Sequence, residues 1–300
     1  MTDKERSARF AREREERLKA GIRLQRDTSA EVRRLLLAAE KSIMGVLSGA
    51  PSDYRRWQLT ELQSQVARAL AAVDRPAADL VGGGMLQSWE AGVALIDAPL
   101  AAGGVQLGGS LTALDTRNLV AMRDFATHRI RDVSAKVANR INDQLAHAMM
   151  GLQSPWEAAE KVSGLIREDG MKRANVIVRH NLGTAYSSAA QARQEQAAQV
   201  VPGMQKQWRR SGKLHSRYGH DFIDGQVRDV EKPFNLPNGV SLMFPRDPAG
   251  PPGETINCGC TSLPFMAHWP STTPGARRFT AEEVKGNRMK RALAEMRGEI

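Results

Sequence analysis

Aromatic side chains are scarce in this chain and cysteines scarcer: Phe, Tyr and Trp make up 5% of 300 residues, and there are two Cys. So few aromatics exclude a β-sandwich core and favour helices packed through Leu, Ala, Val and Ile. Two cysteines exclude a disulfide-stapled secreted scaffold. A long apolar run is missing too. The most apolar stretch, Ala91 to Leu107, is interrupted by Asp97, Pro99 and Gly103-Gly104, so no bilayer-spanning helix is expected. The opening MTDKERSARF is charged throughout and lacks the apolar segment of a secretory signal. Acidic residues fall short of basic ones, 33 against 43, leaving a formal net charge of +10. That surplus attracts polyanions; DNA, RNA and an acidic protein surface are all admissible partners on charge alone.

What is present is mostly helical periodicity, followed by an abrupt change of grammar. Residues 1–28 are densely charged with few apolar anchors, which predicts a fraying tail or a helix ordered only on a partner. Ser29 can cap a helix carrying Val32, Leu35, Leu36, Ala39 and Ile43 and ending near Gly49 and Pro51. Ser52 can cap a second, bearing Trp57, Leu59, Leu62, Val66 and Leu70 and ending before Pro76. Between 76 and 112, Gly82-Gly83-Gly84, Gly103-Gly104 and Gly108-Gly109 read as mobile connections around one short helix at Trp89, Val93 and Ile96. The triple glycine is no phosphate-cradling loop: no strand precedes it and no Lys-Ser/Thr follows.

The longest pattern, about 112–149, places Met122, Phe125, Ile130, Val133, Val137, Ile141 and Leu145 on one stripe, with arginines elsewhere on the helix. Ser154-Pro155-Trp156-Glu157 is a capping box with Pro in the first turn, starting a helix that ends near Asp169-Gly170; another runs from Met171 to about Val200. After Pro202, short apolar runs among Gly, Pro, Asn and Asp predict short strands joined by turns. A linker around Pro270–Gly275 and the capping box Thr280-Ala281-Glu282-Glu283 lead to a basic closing helix. The fold expected is α+β, mainly helical over the first two-thirds. Its segments are a charged 1–28, a helical 29–200, a compact α+β module at 201–269, and a linker with a basic helix at 270–300.

The chemistry-bearing residues gather in the module. His215, His220 and Asp224 lie within ten residues, and Cys258-Gly259-Cys260 follows some forty residues later. Thiolate and imidazole are the ligands that zinc favours, and two loops contributing two ligands each can close a tetrahedral site. One residue between the cysteines is fewer than a zinc knuckle normally has. The pair reads more readily as buried structural thiols, and less readily as a redox or disulfide pair. His220 and Asp224 could form a plain hydrogen bond across the Asp224-Gly225 turn, or polarise a water in a metal-dependent nuclease or hydrolase. Trp208, Arg209, Arg210, Lys213 and Arg217 fit an edge contacting nucleic-acid phosphates, or one that merely solubilises.

The order Trp208, Arg217, His220, Asp224-Gly225, Pro233-Phe234, Pro245-Arg246-Asp247-Pro248 and Glu254-Thr255-Ile256-Asn257-Cys258-Gly259-Cys260 resembles the phage Mu F-like head-morphogenesis family over residues 173–265. Two positions depart from that pattern. Gly259 stands where the family usually has Arg, and of an upstream Arg-Thr-Glu run only Arg179 is matched. The resemblance implies a non-enzymatic minor capsid protein of a tailed bacteriophage. Its place would be the head of the virion near the portal, and the host cytoplasm during assembly. Portal protein, major capsid or scaffold protein and phage double-stranded DNA are the implied partners. The family's module also occurs fused to toxin effectors; about thirty residues follow it here, too few for an effector domain.

Overall fold

The computed structural model describes residues 1–49, 58–105, 107, 112–269 and 275–300. Five long elements come first: α1 (Asp3–Ser48), α2 (Leu59–Ala102), α3 (Arg117–Met149), α4 (Pro155–Gly164), which runs through a π-helical turn at Leu165–Gly170, and α5 (Met171–Ala198). The module follows with β1 (Met204–Arg209), α6 (Tyr218–Phe222), β2 (Val227–Asp229), β3 (Phe234–Asn235), β4 (Ser241–Leu242), α7 (Pro252–Thr255) and β5 (Thr261–Met266); α8 (Ala281–Gly286) and α9 (Arg288–Met296) close the chain. Strand β1 is central in an antiparallel sheet ordered β2-β1-β5, with Trp208 opposite Ser262 and Gln207 opposite both Leu263 and Val227. The α+β class is as expected, and none of the described helices is long and apolar enough to cross a membrane.

Two compact units interleave in sequence. Residues 1–24, 86–119 and 182–300 form one, and residues 25–85 and 120–181 the other. The first has a core of Phe10, Leu95, Ile96, Leu100, Tyr186 and neighbours, reaching Met204, Leu263 and Met266 of the sheet. A second core, inside the module, joins Trp208, Ile223, Phe234, Leu236 and Leu242 to Cys258 and Cys260. In the other unit, Val32, Leu36, Val73, Ala77, Ile130 and Val133 meet around a small void.

Several helix boundaries differ from expectation. Helix α1 does not start at Ser29. Its buried positions include Ser7, Phe10, Arg14, Gly21, Thr28, Val32, Leu36, Ala39, Ile43 and Leu47, a stripe at helical spacing whose N-terminal half has Phe10 as its one large apolar residue. Helix α2 passes through Pro76, the three glycines and Pro99 without a break. Buried Ala77, Ala78, Val81 and Met85 hold it there, so packing outweighs the cost of about 1 kcal/mol per glycine. In α3 the inward stripe is Ala126, Ile130, Val133, Val137, Ile141 and Leu145; Phe125, expected on it, is 56% exposed beneath the Arg129 guanidinium. Ser52, Trp57, Gly108-Gly109 and Ser271 to Pro274 lie outside the described residues.

The chain ends are also packed, contrary to the expectation that residues 1–28 fray or order only on a partner. Phe10 meets Trp269 edge-to-face at 5.3 Å, and the buried Arg14 donates to the Pro264 carbonyl at 2.8 Å. At the other end the Thr280 capping box forms as expected, and Glu283, Lys290, Leu293 and Ala294 are buried. Glu283 accepts from Arg210 at 2.5 Å and from Lys290 Nζ at 2.6 Å. The segment is bound to the module by this charge network.

Two measurements check this packing. At Gly92 a β-carbon would lie 2.3 Å from the Tyr186 carbonyl oxygen, so α2 and α5 approach closely only because the residue is glycine. Gly92→Ala should cost about 1–3 kcal/mol in urea unfolding. Gly83→Ala, exposed and with nothing within 4 Å of its would-be β-carbon, should be neutral or stabilise by about 0.4–1 kcal/mol. Burial pushes the Glu283 carboxyl up, but hydrogen bonds from Arg210, Lys290 and the Thr280 N–H outweigh it and hold the group down at about 2. A depressed carboxylate stabilises the fold fully above its ordinary value of 4.5 and loses that contribution as pH falls toward 2. Glu283→Ala should therefore cost about 3–5 kcal/mol at neutral pH, because it strands the buried Arg210 and Lys290. The gap between the wild-type and variant stabilities should narrow on acidification.

Candidate functional site

The site is built around the central strand. Trp208 on β1 is fully buried; its ring meets Phe234 at 5.3 Å and the His220 imidazole at 5.2 Å, both edge-to-face, and its Nε1 donates to the His220 carbonyl at 3.1 Å. His220 sits on the short α6, so the tryptophan fixes both the backbone and the ring of the histidine. On the opposite side comes the Asn257-Cys258-Gly259-Cys260 turn between α7 and β5. Asn257 adopts φ +58°, and three cations hold the carbonyls of this turn: Arg217 that of Ile256 at 2.7 Å, Lys213 that of Asn257 at 2.6 Å, and Arg246 that of Cys258 at 2.7 Å.

His220, Cys258 and Cys260 come together here, all buried, with their candidate ligand atoms within 4.8 Å of one another. His220 Nδ1 lies 3.5 Å from the Cys258 sulfur and 3.6 Å from that of Cys260. The other ring nitrogen, Nε2, is 2.9 Å from the Glu254 carboxylate. An ionised carboxylate only accepts, so Nε2 carries a proton, and Nδ1 is the ring nitrogen turned toward the sulfurs. Glu254 is itself fixed by Asn238 Nδ2 at 2.9 Å, with the Arg217 guanidinium 3.6 Å away. A hydrogen bond from Cys260 holds the Cys258 thiol well below the usual range against the opposing effect of burial, with His220 and Arg246 adding to the lowering; the same pairing, with burial, pushes Cys260 up. The cluster faces a pocket of about 310 Å³ rimmed by Lys213, His215 and Arg217.

The remaining site residues divide differently from the sequence reading. His215 lines the pocket but is exposed and is not in the ligand cluster. Asp224 is not a partner of His220. Its two oxygens accept the backbone N–H groups of Arg210 at 2.8 Å and Arg277 at 2.6 Å, and its side chain is fully buried. The pairing with His220 assumed for a hydrolase is therefore absent. Trp208 and Arg210 cannot contact phosphates from a surface edge, being 0% and 2% exposed, and Arg209 at 8% is nearly as buried. Lys213 and Arg217 reach the pocket rim instead. Sequence reasoning missed the role of Glu254, although the residue opens the Glu254–Cys260 motif; no periodicity links it to a histidine 34 positions earlier. It also missed Arg246, whose guanidinium is buried against the Cys258 carbonyl. Gly259 leaves room for this packing, since a β-carbon there would lie 2.7 Å from Ser211 Cβ.

The family model described as "Phage Mu protein F like protein" matches residues 139–263, which span β1, α6 and the whole cluster. Among curated proteins, the chain is 41% identical over 85 residues to the uncharacterized protein YqbB of Bacillus subtilis, covering 27% of each chain. It is 31% identical over 96 residues to the NAD(+)–arginine ADP-ribosyltransferase EFV of Enterococcus faecalis, covering 32% of this chain and 19% of that one. The chain thus spans between a fifth and about a quarter of the length of these relatives. No solved structure matches it significantly. The match over residues 139–263 to the Phage Mu protein F-like family supports a phage Mu F-like head-morphogenesis protein.

Proposed function

We propose that this protein is a minor capsid component of a tailed bacteriophage, incorporated at the portal region of the head, where it contacts the packaged double-stranded DNA. The family match over residues 139–263 carries the reading, and it favours a structural rather than an enzymatic role. The relative named as an ADP-ribosyltransferase does not alter this, because only 19% of that protein is covered.

DNA contact rests on a different surface from the one first expected. Within the unit formed by 25–85 and 120–181, α1, the π-helical turn and α5 enclose a groove of about 550 Å³ lined by Arg26, Arg33, Arg167, Lys172 and Arg179. Arg26 pairs with Asp27, Arg167 with Glu40 and Lys172 with Glu168. Arg33 and Arg179 form no ion pair among the described residues, and both are exposed. Guanidinium groups lining an open groove suit phosphate oxygens, which position a duplex without reading its sequence. Ser29 and Asn175, hydrogen-bonded to each other at 2.6 Å, line the same groove with further polar atoms.

Binding of random-sequence duplexes, followed by fluorescence anisotropy across a salt series, tests this. Affinity should be nearly independent of sequence and fall steeply with salt. The double variant Arg33→Glu/Arg179→Glu should weaken binding and make the log–log salt slope shallower by about 1–2, roughly 0.9 for each phosphate no longer neutralised. Undetectable binding at low ionic strength, or binding indifferent to salt, would remove DNA from the reading. Absence of the protein from purified virions would remove the capsid assignment itself.

A further inference from the structure

We propose that His220, Cys258 and Cys260 bind one thiophilic divalent cation, Zn²⁺ in the first place, leaving its fourth coordination position open to the pocket beside His215.

The argument starts from geometry. Zinc–thiolate bonds of about 2.3 Å and zinc–imidazole bonds of about 2.0–2.1 Å at tetrahedral angles set a sulfur-to-nitrogen separation of about 3.6 Å. The two observed separations are 3.5 and 3.6 Å, both measured to the same nitrogen. A cation can therefore sit between the three atoms with little rearrangement of the protein. The histidine is in the right orientation for it. Glu254 accepts the hydrogen bond from Nε2–H and leaves Nδ1 facing the sulfurs, the carboxylate–histidine–metal relay that orients and strengthens imidazole ligands. Glu254 is held in its turn by Asn238. The backbone around the two sulfurs is fixed by Arg217, Lys213 and Arg246 on successive carbonyls, so little ordering remains to be done on binding.

Buried thiols packed as small apolar groups would account for the burial and for a place in the core that also holds Phe234 and Leu242. They do not account for a buried histidine locked by a carboxylate with its other ring nitrogen 3.5 and 3.6 Å from the two sulfurs. The consequence for the fold is a cross-link. The metal would tie the 211–220 segment after β1 to the turn before β5, both of which flank the same sheet. The open position faces a pocket of about 310 Å³, where a water or another small donor completes the tetrahedron. His215 rims that pocket and is exposed, so it is not needed for retention.

The test uses the full chain, purified under reducing conditions without chelator. Elemental analysis should find about one zinc per chain. After zinc is stripped, Co²⁺ titration should saturate at one equivalent with thiolate-to-cobalt charge-transfer absorption, and the melting temperature should rise with metal. Cys258→Ser, Cys260→Ser and His220→Ala should each lose the stoichiometric metal. Glu254→Gln should keep the fold and weaken affinity about 10–100-fold, the range typical of such outer partners. His215→Ala should retain the metal. Because a ligand variant could fail to fold, the cobalt spectrum of the unmutated protein stands as the independent criterion. Reduced, folded protein that takes up neither ion stoichiometrically overturns the proposal. So does a Cys258–Cys260 disulfide in the purified chain that, once reduced, still binds no metal. Full retention by all three ligand variants overturns it as well.

Discussion

The buried guanidinium of Arg210 governs much of this structure. It is 2% exposed, and an unpaired charge at such depth costs several kcal/mol. The chain meets that cost from three directions. Glu283 supplies a two-oxygen carboxylate at 2.5 and 3.2 Å, the carbonyls of Arg277 and Arg278 accept from the remaining nitrogens, and the Phe279 ring lies 4.2 Å beneath the group. These four partners belong to the C-terminal segment, and the Asp224 carboxylate of the module adds an ion pair at 3.5 Å. One arginine at the end of β1 thereby holds the last thirty residues against the module. Lys290 joins the network through Glu283 and the Lys213 carbonyl, which brings the same charges to the rim of the His-Cys-Cys pocket.

The candidate site depends on this arrangement. Asp224 binds the backbone N–H groups of Arg210 and Arg277, so it clamps the end of β1 to the start of the C-terminal segment rather than serving His220. His220 is positioned two residues further inside, by Trp208, which is itself fixed by its place in the middle of the sheet. The order of causes runs from strand to tryptophan to histidine. The chemistry then comes from Glu254 and the cysteine turn, which meet the His220 ring, and the turn is held by carbonyl-binding cations. A motif scattered over more than fifty residues is in this way a single packed object, made of candidate ligands and the groups that aim them.

How much of this could be read from the sequence depended on whether the signal was local. Capping boxes are local, and both Ser154–Glu157 and Thr280–Glu283 form as read. The grouping of His220 with Cys258 and Cys260 was legible because residue types and a family pattern agreed. The continuity of α1 was not, because the N-terminal part of its buried stripe is made of Ser7, Arg14 and Thr28, which apolar periodicity does not register. Helix α2 was hidden by its own prolines and glycines, whose cost is local and whose compensation, burial of Val81 and Met85, is tertiary. The role of Asp224 was misassigned for a related reason. Its proximity to His220 in sequence suggested a pair, whereas its partners are backbone groups 14 and 53 residues away.

Net charge shows the same contrast between composition and structure. A surplus of +10 invites the view that basic residues face a polyanion. Yet Arg14, Lys206, Arg209, Arg210, Arg246 and Lys290 are all buried, each bonded to carbonyls, carboxylates or amides within the protein. Their charge is spent on holding strands, turns and termini in place, and a buried guanidinium neutralised by its own carboxylate adds little to the field outside. The arginines of the α1–α5 groove are different. They are exposed, they face one opening, and two of them make no ion pair among the described residues. For a chain with so many internal cations, accessibility and pairing single out the groove proposed to meet a nucleic-acid backbone, and the total charge does not.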